Sequence, residues 1–329
     1  MSTLLLTRSA VARLLSLPDC IAAVERAFAL HGSGQAAPPA VAAVHVTDGG
    51  FHIKAGVLAV NGREYFAAKT NGNFPANRAR HQLPTIQGSI TLCDATNGAP
   101  LALMDSIEIT VLRTAAATAV AAKYLAPHGA TRAAIIGCGV QGRAQLRALM
   151  HVCQLREVAA YDVVSTAAAA FANELSAELG LAVIATSSIA QAAAAAQIIV
   201  TCTTSRRAFL APEHVATGSF IAAVGADNED KQELEPALMA GAHVVTDVTA
   251  QCAAFGDLHH AIAAGALTAN QVHAELGQIV CGKRSGRTSA DETFIFDSTG
   301  MALQDVGAAA VVYEAAQRSG NERTVELSA

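Results

Sequence analysis

From about residue 131 the chain alternates short runs of β-branched and apolar residues with alanine-rich stretches of helical character. Strands are predicted over 133–136, 157–161, 181–185, 197–201, 219–224 and 243–247, with helices between them such as 142–151 and 167–179, the latter stopped by Gly180. This alternation predicts a parallel sheet covered by helices, and about six strands fit a doubly wound α/β fold. The first 115 or so residues read differently. A helix over 18–31 precedes strand-like segments at 41–46, 51–53, 65–69 and 88–93, with turn signals at Asp48-Gly49-Gly50, Asn61-Gly62 and Asn97-Gly98. This is a separate α+β unit. A last strand at 293–296 leads into a helix over 300–318 that is free to cross back to the first domain, and the tail after Gly320 is expected to fray. The expected domains are therefore 1–115 completed by 300–329, and 116–299.

Composition narrows what such a chain does. Of 329 residues 52% are hydrophobic and 15% charged, but alanine dominates the apolar count, so the interior is built from small side chains. The richest apolar run, 189–202, is too short to span a membrane and is interrupted by Gln191 and Gln197. Residues 1–10 show no export signal, which makes the cytoplasm the expected compartment. Seven cysteines, an odd number without a CxxC pair, argue against a disulfide framework and a zinc site. His259-His260 has no second ligand cluster, so no metal is expected. A net charge of −5 without a dense Lys/Arg run offers no footprint for a nucleic-acid backbone. Arg78, Arg80 and His81 read as a solvated basic loop. The expected partner is a small molecule, with neither nucleic acid nor membrane involved.

Gly137, Gly139 and Gly142, with Val140 and Gln141 among them, lie where the first parallel strand turns into a helix. Three glycines so spaced serve a tight turn, a close backbone approach to a pyrophosphate and helix-to-strand packing, with the helix N-terminus facing the anion. This makes the second domain a Rossmann-type dinucleotide-binding domain. Asp162 ends the next strand 25 positions after Gly137, suited to the adenosine ribose hydroxyls. Its carboxylate would repel a 2′-phosphate and Val163-Val164-Ser165 supply no Arg, so NAD is favoured and NADP is the alternative. Lys69 and Arg113 each sit in an apolar stretch where an unpaired cation is expensive, which marks them as candidates to bind a substrate carboxylate. Asp227 follows the strand at 219–224 at its carboxyl end and fits an acid/base role.

Taken with further motifs, these residues make the chain resemble the ornithine cyclodeaminase and mu-crystallin family over nearly its whole length. The motifs are Lys69 in Ala67-Ala68-Lys69, Leu83-Pro84-Thr85-Ile86-Gln87-Gly88, Leu112-Arg113-Thr114-Ala115-Ala116-Ala117, the glycine turn, Val224-Gly225-Ala226-Asp227 with Lys231, and Phe296-Asp297-Ser298-Thr299-Gly300. The resemblance implies a homodimer of two-domain subunits, with an N-terminal substrate-binding and dimerisation domain, acting on the Cα–N bond of amino or imino acids with a nicotinamide. It implies that Asp227 manages the proton at the substrate nitrogen. It also implies that Thr85 and Arg113 approach the nicotinamide end or its phosphates, that Thr203 lies near the adenosine side, and that Val224, Lys231 and Ser298 line or close over the cofactor. One departure stands out. Ala40 follows Pro38-Pro39 where many members have an Arg, and Lys54-Ala55-Gly56 replaces their Met-Pro-Ala. His45, His52 and Lys54 therefore either select a different side chain or face solvent. The expected activity is reduction of α-imino acids, such as pyrroline-2-carboxylate or piperideine-2-carboxylate, with amino-acid dehydrogenation in reverse. The alternative is an ornithine cyclodeaminase, a lyase with bound NAD, and behind it a non-catalytic binder of small ligands.

Overall fold

The computed structural model describes residues 2–327 of the chain. It divides into two compact units, Met1–Arg113 with Met301–Ala329, and Thr114–Gly300. Among the described residues no helix is long and apolar enough to cross a membrane.

The first unit is built on a seven-stranded sheet. Its order is Thr324–Glu326, Ser2–Leu6, Pro100–Asp105, Ile86–Asp94, Arg63–Asn73, Gly49–Val60 and Ala40–Val46. Neighbours are antiparallel except Ser2–Leu6 against Pro100–Asp105. Asn61 and Gly62 turn with φ of 51° and 81°, the pair of left-handed residues that a tight two-residue hairpin requires. That turn sets the register of the two long strands, pairing Val60 with Arg63 and, further along, Lys54 with Lys69. The strand expected at 51–53 continues through Ala55, paired with Ala40 and Ala68, and Gly56, paired with Ala67, because these ladder partners override their weak strand propensity. The tail expected to fray instead pairs Thr324–Glu326 with Ser2–Leu6, next to an Arg13–Glu322 ion pair of 2.6 Å.

Helix Ala302–Ser319 packs on strands Gly49–Val60 and Arg63–Asn73 and on helix Leu17–Ser33. It is buried almost all round, which its small residues Gly307, Ala308, Ala309 and Ala310 allow. The strand beneath makes room as well, since a Cβ at Gly56 would stand 2.9 Å from Leu303 Cδ2. This close approach brings the first turns of the helix down onto the face that carries Lys54 and Lys69.

The second unit holds eight parallel strands in the order Ala182–Ala185, Glu157–Tyr161, Arg132–Ile136, Ile198–Thr201, Phe220–Ala223, Phe294–Asp297, His243–Thr246 and Ala274–Glu275. This is the doubly wound Rossmann-type sheet. It has eight strands where about six are expected, because Phe294–Asp297 inserts between Phe220–Ala223 and His243–Thr246 and Ala274–Glu275 adds an edge. The three strands Ile198–Thr201, Phe220–Ala223 and Phe294–Asp297 are buried at every residue, as expected of a parallel sheet covered on both faces. Winding reverses between Arg132–Ile136 and Ile198–Thr201, so the ligand crevice of such a sheet opens at their carboxyl ends. Helix Ser165–Leu179 ends, as read, on Gly180 at φ 64°.

Four carboxylic acids are wholly buried in this unit: Glu233, Asp247, Asp257 and Asp297. Asp257 Oδ1 accepts from the backbone N–H of Glu233 and Leu234 at 2.8 and 2.9 Å, and Asp297 accepts from those of Asp257 and Leu258. Burial, and then the neighbouring Glu233, pushes the Asp257 carboxyl up to about 7. The native state therefore holds a proton on Asp257 across a range where the unfolded chain, with a pKa of about 3.9, has lost it. Its contribution to stability is present in acid and is lost as pH rises through about 7. Asp257→Asn keeps an acceptor for the two N–H groups and carries no charge. The variant is expected to gain melting temperature over the parent at pH 8, by on the order of a few degrees, and to gain less at pH 5, as read by calorimetry at both pH values.

Candidate active site

The first cluster lies within the first unit and joins three parts of its chain. Lys69 on strand Arg63–Asn73 and Arg113 on helix Ile107–Leu125 both meet Asp305 of helix Ala302–Ser319. Lys69 Nζ lies 2.8 Å from Asp305 Oδ1 and 2.7 Å from Oδ2, and Arg113 Nε lies 3.2 Å from Oδ1. Arg113 Nη1 also donates to Gln304 Oε1 at 3.2 Å. Every member is buried, with Lys69 at 3% exposure, Arg113 at 6% and Asp305 at 2%. Burial disfavours the charged lysine; Asp305 opposes this, while Arg113 and Lys54 add to it, and the result is an ammonium brought down to about 7. Burial also works against the Asp305 carboxylate, but Lys69 and Arg113 hold it below its ordinary range. The cluster thus contains a fixed anion and a lysine poised to exchange a proton near neutrality.

The second group of residues lies in the second unit, at the winding reversal. Gly137 leaves strand Arg132–Ile136 at φ 105°, and a Cβ there would strike Cys202 O at 2.7 Å. Gly142 is equally constrained, because its Cβ would stand 2.2 Å from Gly137 O. Gly139 is different: apart from its immediate chain neighbours nothing lies within 4 Å of its Cβ position, so the fold does not demand glycine there. Such an open residue suits close approach of a pyrophosphate. It also caps helix Val140–Met150 without a side-chain bond, which leaves the amino end to an anion. Asp162 Oδ2 accepts from Cys138 N and Oδ1 from Val164 N, both at 2.9 Å, so the acid is oriented beside the turn with acceptor capacity to spare. These residues fit a dinucleotide.

Around the same strand ends, Thr203 follows Ile198–Thr201, and Glu233 ties it to the next strand. The Glu233 carboxylate accepts from Thr201 Oγ1 and Thr203 N at 2.6 Å and from Gly225 N at 2.9 Å. Val224 is nearly buried, and its N–H bonds Thr201 O at 2.9 Å. Ser298 donates its N–H to Ala223 O at 3.0 Å. Asp227 is exposed and paired with Lys231 Nζ at 2.6 Å. Thr85 is exposed ahead of strand Ile86–Asp94, its carbonyl held by Phe74 N. Gln141 is half-buried, and Val140 is 70% exposed. His259 and His260 each turn a ring nitrogen to a backbone carbonyl, those of Ala253 and Lys231. Arg80 pairs with exposed Asp48 at 2.9 Å.

Three participants were not among the residues singled out from sequence: Asp305, Gln304 and Glu233. The signal for Asp305 was available, a lone acid in the apolar run 301–312, the same pattern that marked Lys69 and Arg113.

A Rossmann-type sheet with a glycine turn built for pyrophosphate, together with a buried lysine–aspartate–arginine cluster, defines a nucleotide-dependent enzyme of small-molecule metabolism. The chain belongs to the ornithine cyclodeaminase/mu-crystallin family, whose model matches residues 1–320. It is 39% identical over 279 residues to an iminosuccinate reductase of Paracoccus denitrificans, covering 85% of this chain and 83% of the relative. An archaeal alanine dehydrogenase dimer solved with bound NAD superposes with a TM-score of 0.93 at 35% identity, covering 99% of this chain and 100% of the other. The Δ1-pyrroline-2-carboxylate reductase of Thermococcus litoralis, solved with NADH and L-proline, gives 0.93 at 33% identity over 98% of this chain and 100% of the other.

Asp305→Asn removes the carboxylate that Lys69 and Arg113 share, so Arg113 loses its buried counter-ion and Lys69 must give up its proton or stay charged without one. A loss of about 3–5 kcal/mol in unfolding free energy is expected, the usual cost of stranding a buried charge. Combining it with Lys69→Met should restore part of that loss, which denaturant titration of the single and double variants will show.

Proposed function

We propose that this chain is an NADH-dependent reductase of α-imino acids, working in reverse as an amino-acid dehydrogenase, and that it acts in the cytoplasm as a homodimer. The observation that carries this reading is the buried Lys69, brought to about 7 in contact with Asp305 and close to Arg113. Reduction of a C=N bond beside a carboxylate requires a cation for the carboxylate, a hydride for carbon and a proton for nitrogen. Arg113, backed by Gln304, suits the carboxylate because its planar fork offers paired donors. Lys69 suits the proton, since an acid with a pKa near the working pH both gives and regains it readily. The glycine turn would hold the pyrophosphate of a nicotinamide cofactor, which when bound would supply the hydride for reduction and accept one in the oxidative direction. Asp227 is the second candidate for the proton, at the carboxyl end of strand Phe220–Ala223 and paired with Lys231. Asp162 supports NADH over NADPH. The imino-acid reductases and the alanine dehydrogenase among the relatives support the substrate class, and the NAD and NADH in the solved neighbours support the cofactor.

The reading predicts oxidation of NADH, and weaker oxidation of NADPH, when the enzyme meets pyrroline-2-carboxylate or imines formed from 2-oxo acids and ammonium. Asp162→Ser should narrow the difference between the two cofactors. Because the folded Lys69 is protonated below about 7, kcat/KM for reduction should fall as pH rises through that value, and kcat/KM for amino-acid oxidation should rise. Lys69→Arg, which stays protonated, should lose this titration. If Lys69→Arg leaves the profile unaltered while Asp227→Asn slows hydride transfer about 100- to 10,000-fold, the proton belongs to Asp227. An enzyme that binds NADH yet reduces no imino acid refutes the reading.

The homodimer is supported by the edge strand Ala40–Val46, exposed along its entire length, with Val41, Val44 and Val46 facing solvent in the single chain. A long apolar edge of this kind is a template for pairing with another chain unless it is covered. Light scattering is expected to return the mass of two chains, and Val44→Lys to shift it toward one.

A further inference from the structure

Strand Gln232–Leu234 carries a wholly buried acid, Glu233, beside the carboxyl ends of the Rossmann-type strands. Its two oxygens are used separately. Oε1 accepts from Thr203 N at 2.6 Å, while Oε2 accepts from Thr201 Oγ1 at 2.6 Å and from Gly225 N at 2.9 Å. One side chain thus fastens the turn after strand Ile198–Thr201 to the turn after strand Phe220–Ala223. Gly225 leaves room for it, since a Cβ there would stand 2.4 Å from Glu233 Cδ and Oε1. Glu233 is itself anchored: Asp257 Oδ1 accepts from its backbone N–H, and the Asp297 carboxylate accepts from Asp257 N and Leu258 N.

The first of these fastened turns is the wall on which the glycine turn rests. A Cβ at Gly137 would meet Cys202 O at 2.7 Å and Thr203 Cγ2 at 3.2 Å, and the Cys202 thiol donates to Gly137 O at 3.2 Å. Close-packed interiors pass displacements on, because they hold no slack to absorb them. A shift of Cys202 and Thr203 therefore reaches Gly137, and through Cys138 and Gly139 it reaches the uncapped amino end of helix Val140–Met150.

An ionised carboxylate suits these partners because both of its oxygens only accept. A glutamine in its place would present its amide NH2 to Thr203 N or to Gly225 N, because those two N–H donors bond different oxygens. We propose that Glu233, in its ionised form, is a positioning residue for the dinucleotide: by holding Thr203 and Gly225 it keeps the glycine turn in the shape that receives the pyrophosphate. This inference rests on the cofactor reading of the glycine turn and adds the residue that holds that turn from within the protein. Burial raises the Glu233 carboxyl, and its bonds to Thr201, Thr203 and Gly225 oppose the rise, so the hold weakens in acid. The titratable groups that act with it are Asp257 and the Cys202 thiol, each pushed upward by burial and then by Glu233. Nearby, His260 turns its ring to Lys231 O, and Lys231 pairs with Asp227.

The test is NADH affinity, titrated by fluorescence between pH 8 and pH 5. At pH 8 Glu233→Gln should weaken NADH about tenfold or more, the scale of a lost bond to a charged acceptor. The gap between parent and variant should narrow toward pH 5, as acid protonates the parent's own carboxylate. Gly225→Ala crowds that carboxylate without removing it, so it should weaken NADH too, and the two substitutions together should cost less than the product of their separate effects. Hydrogen exchange in the cofactor-free proteins gives a reading that needs no ligand: segments 200–206, 222–228 and 136–142 should all exchange faster in Glu233→Gln, and strand Glu157–Tyr161 should not. Should Glu233→Gln not fold, Gly225→Ala and the pH series of the parent decide. Parental NADH affinity in both variants, a gap that does not narrow in acid, or a segment 136–142 whose exchange is unchanged overturns this inference alone. A parent that binds no NADH refutes the cofactor reading and this inference with it.

Discussion

A lysine buried against an aspartate 236 positions further along the chain is the contact on which the candidate active site depends. Neither residue is tolerable alone in that environment. Desolvation would strip the proton from an isolated Lys69, and an isolated Asp305 would take one up. Held together, each keeps the other ionised, and the residual imbalance leaves the lysine near neutrality. The backbone makes this contact compulsory. The Asn61-Gly62 turn fixes the strand register, Gly56 lets the closing helix descend, and the helix then presents Gln304 and Asp305 to the sheet.

The second unit answers a different constraint. A parallel sheet directs the carboxyl ends of its strands to one edge, where backbone N–H groups of the following turns need acceptors. Gly139 and the uncapped helix Val140–Met150 leave some of those groups to a ligand. Elsewhere the chain supplies its own acceptors by burying acids. Glu233 links the turns after two neighbouring strands through Thr203 and Gly225, and Asp247 receives Val248 N at 2.8 Å together with the Ser298, Thr299 and Gly300 segment. Burial raises the Glu233 carboxyl above its ordinary range, so its hold on the turns at Thr203 and Gly225 is sensitive to proton uptake.

Local pattern was sufficient for much of this. The strand–helix alternation, the glycine turn and the acid at the end of the next strand are short-range features, and each appears in the structure where its residues predict it. Lys69 and Arg113 were legible as expensive cations in apolar surroundings. Lys54 was legible as a change of residue type. What they contact was not. The strand Pro100–Asp105 and the extension of Gly49–Val60 escaped because their residues lack strong alternation or propensity, and pairing with neighbouring strands, on both sides of the first and with Arg63–Asn73 for the second, decided them. The tail beyond Gly320 carries no local anchoring signal, because its partner is the first strand, at the opposite end of the chain.

The amino-acid sequence by itself determined the two kinds of unit, the place of the dinucleotide turn and the chemical types of the candidate residues, because those follow from periodicity and from side chains a few positions apart. Only the tertiary structure decided that Lys54 faces Lys69, that Asp305 is the anion shared by Lys69 and Arg113, and that Glu233 secures Thr203 and Gly225. The reason is physical. Charge pairing and proton affinity in a buried site depend on distance and desolvation, and both are set by strand register and helix packing between segments that the linear order keeps hundreds of residues apart.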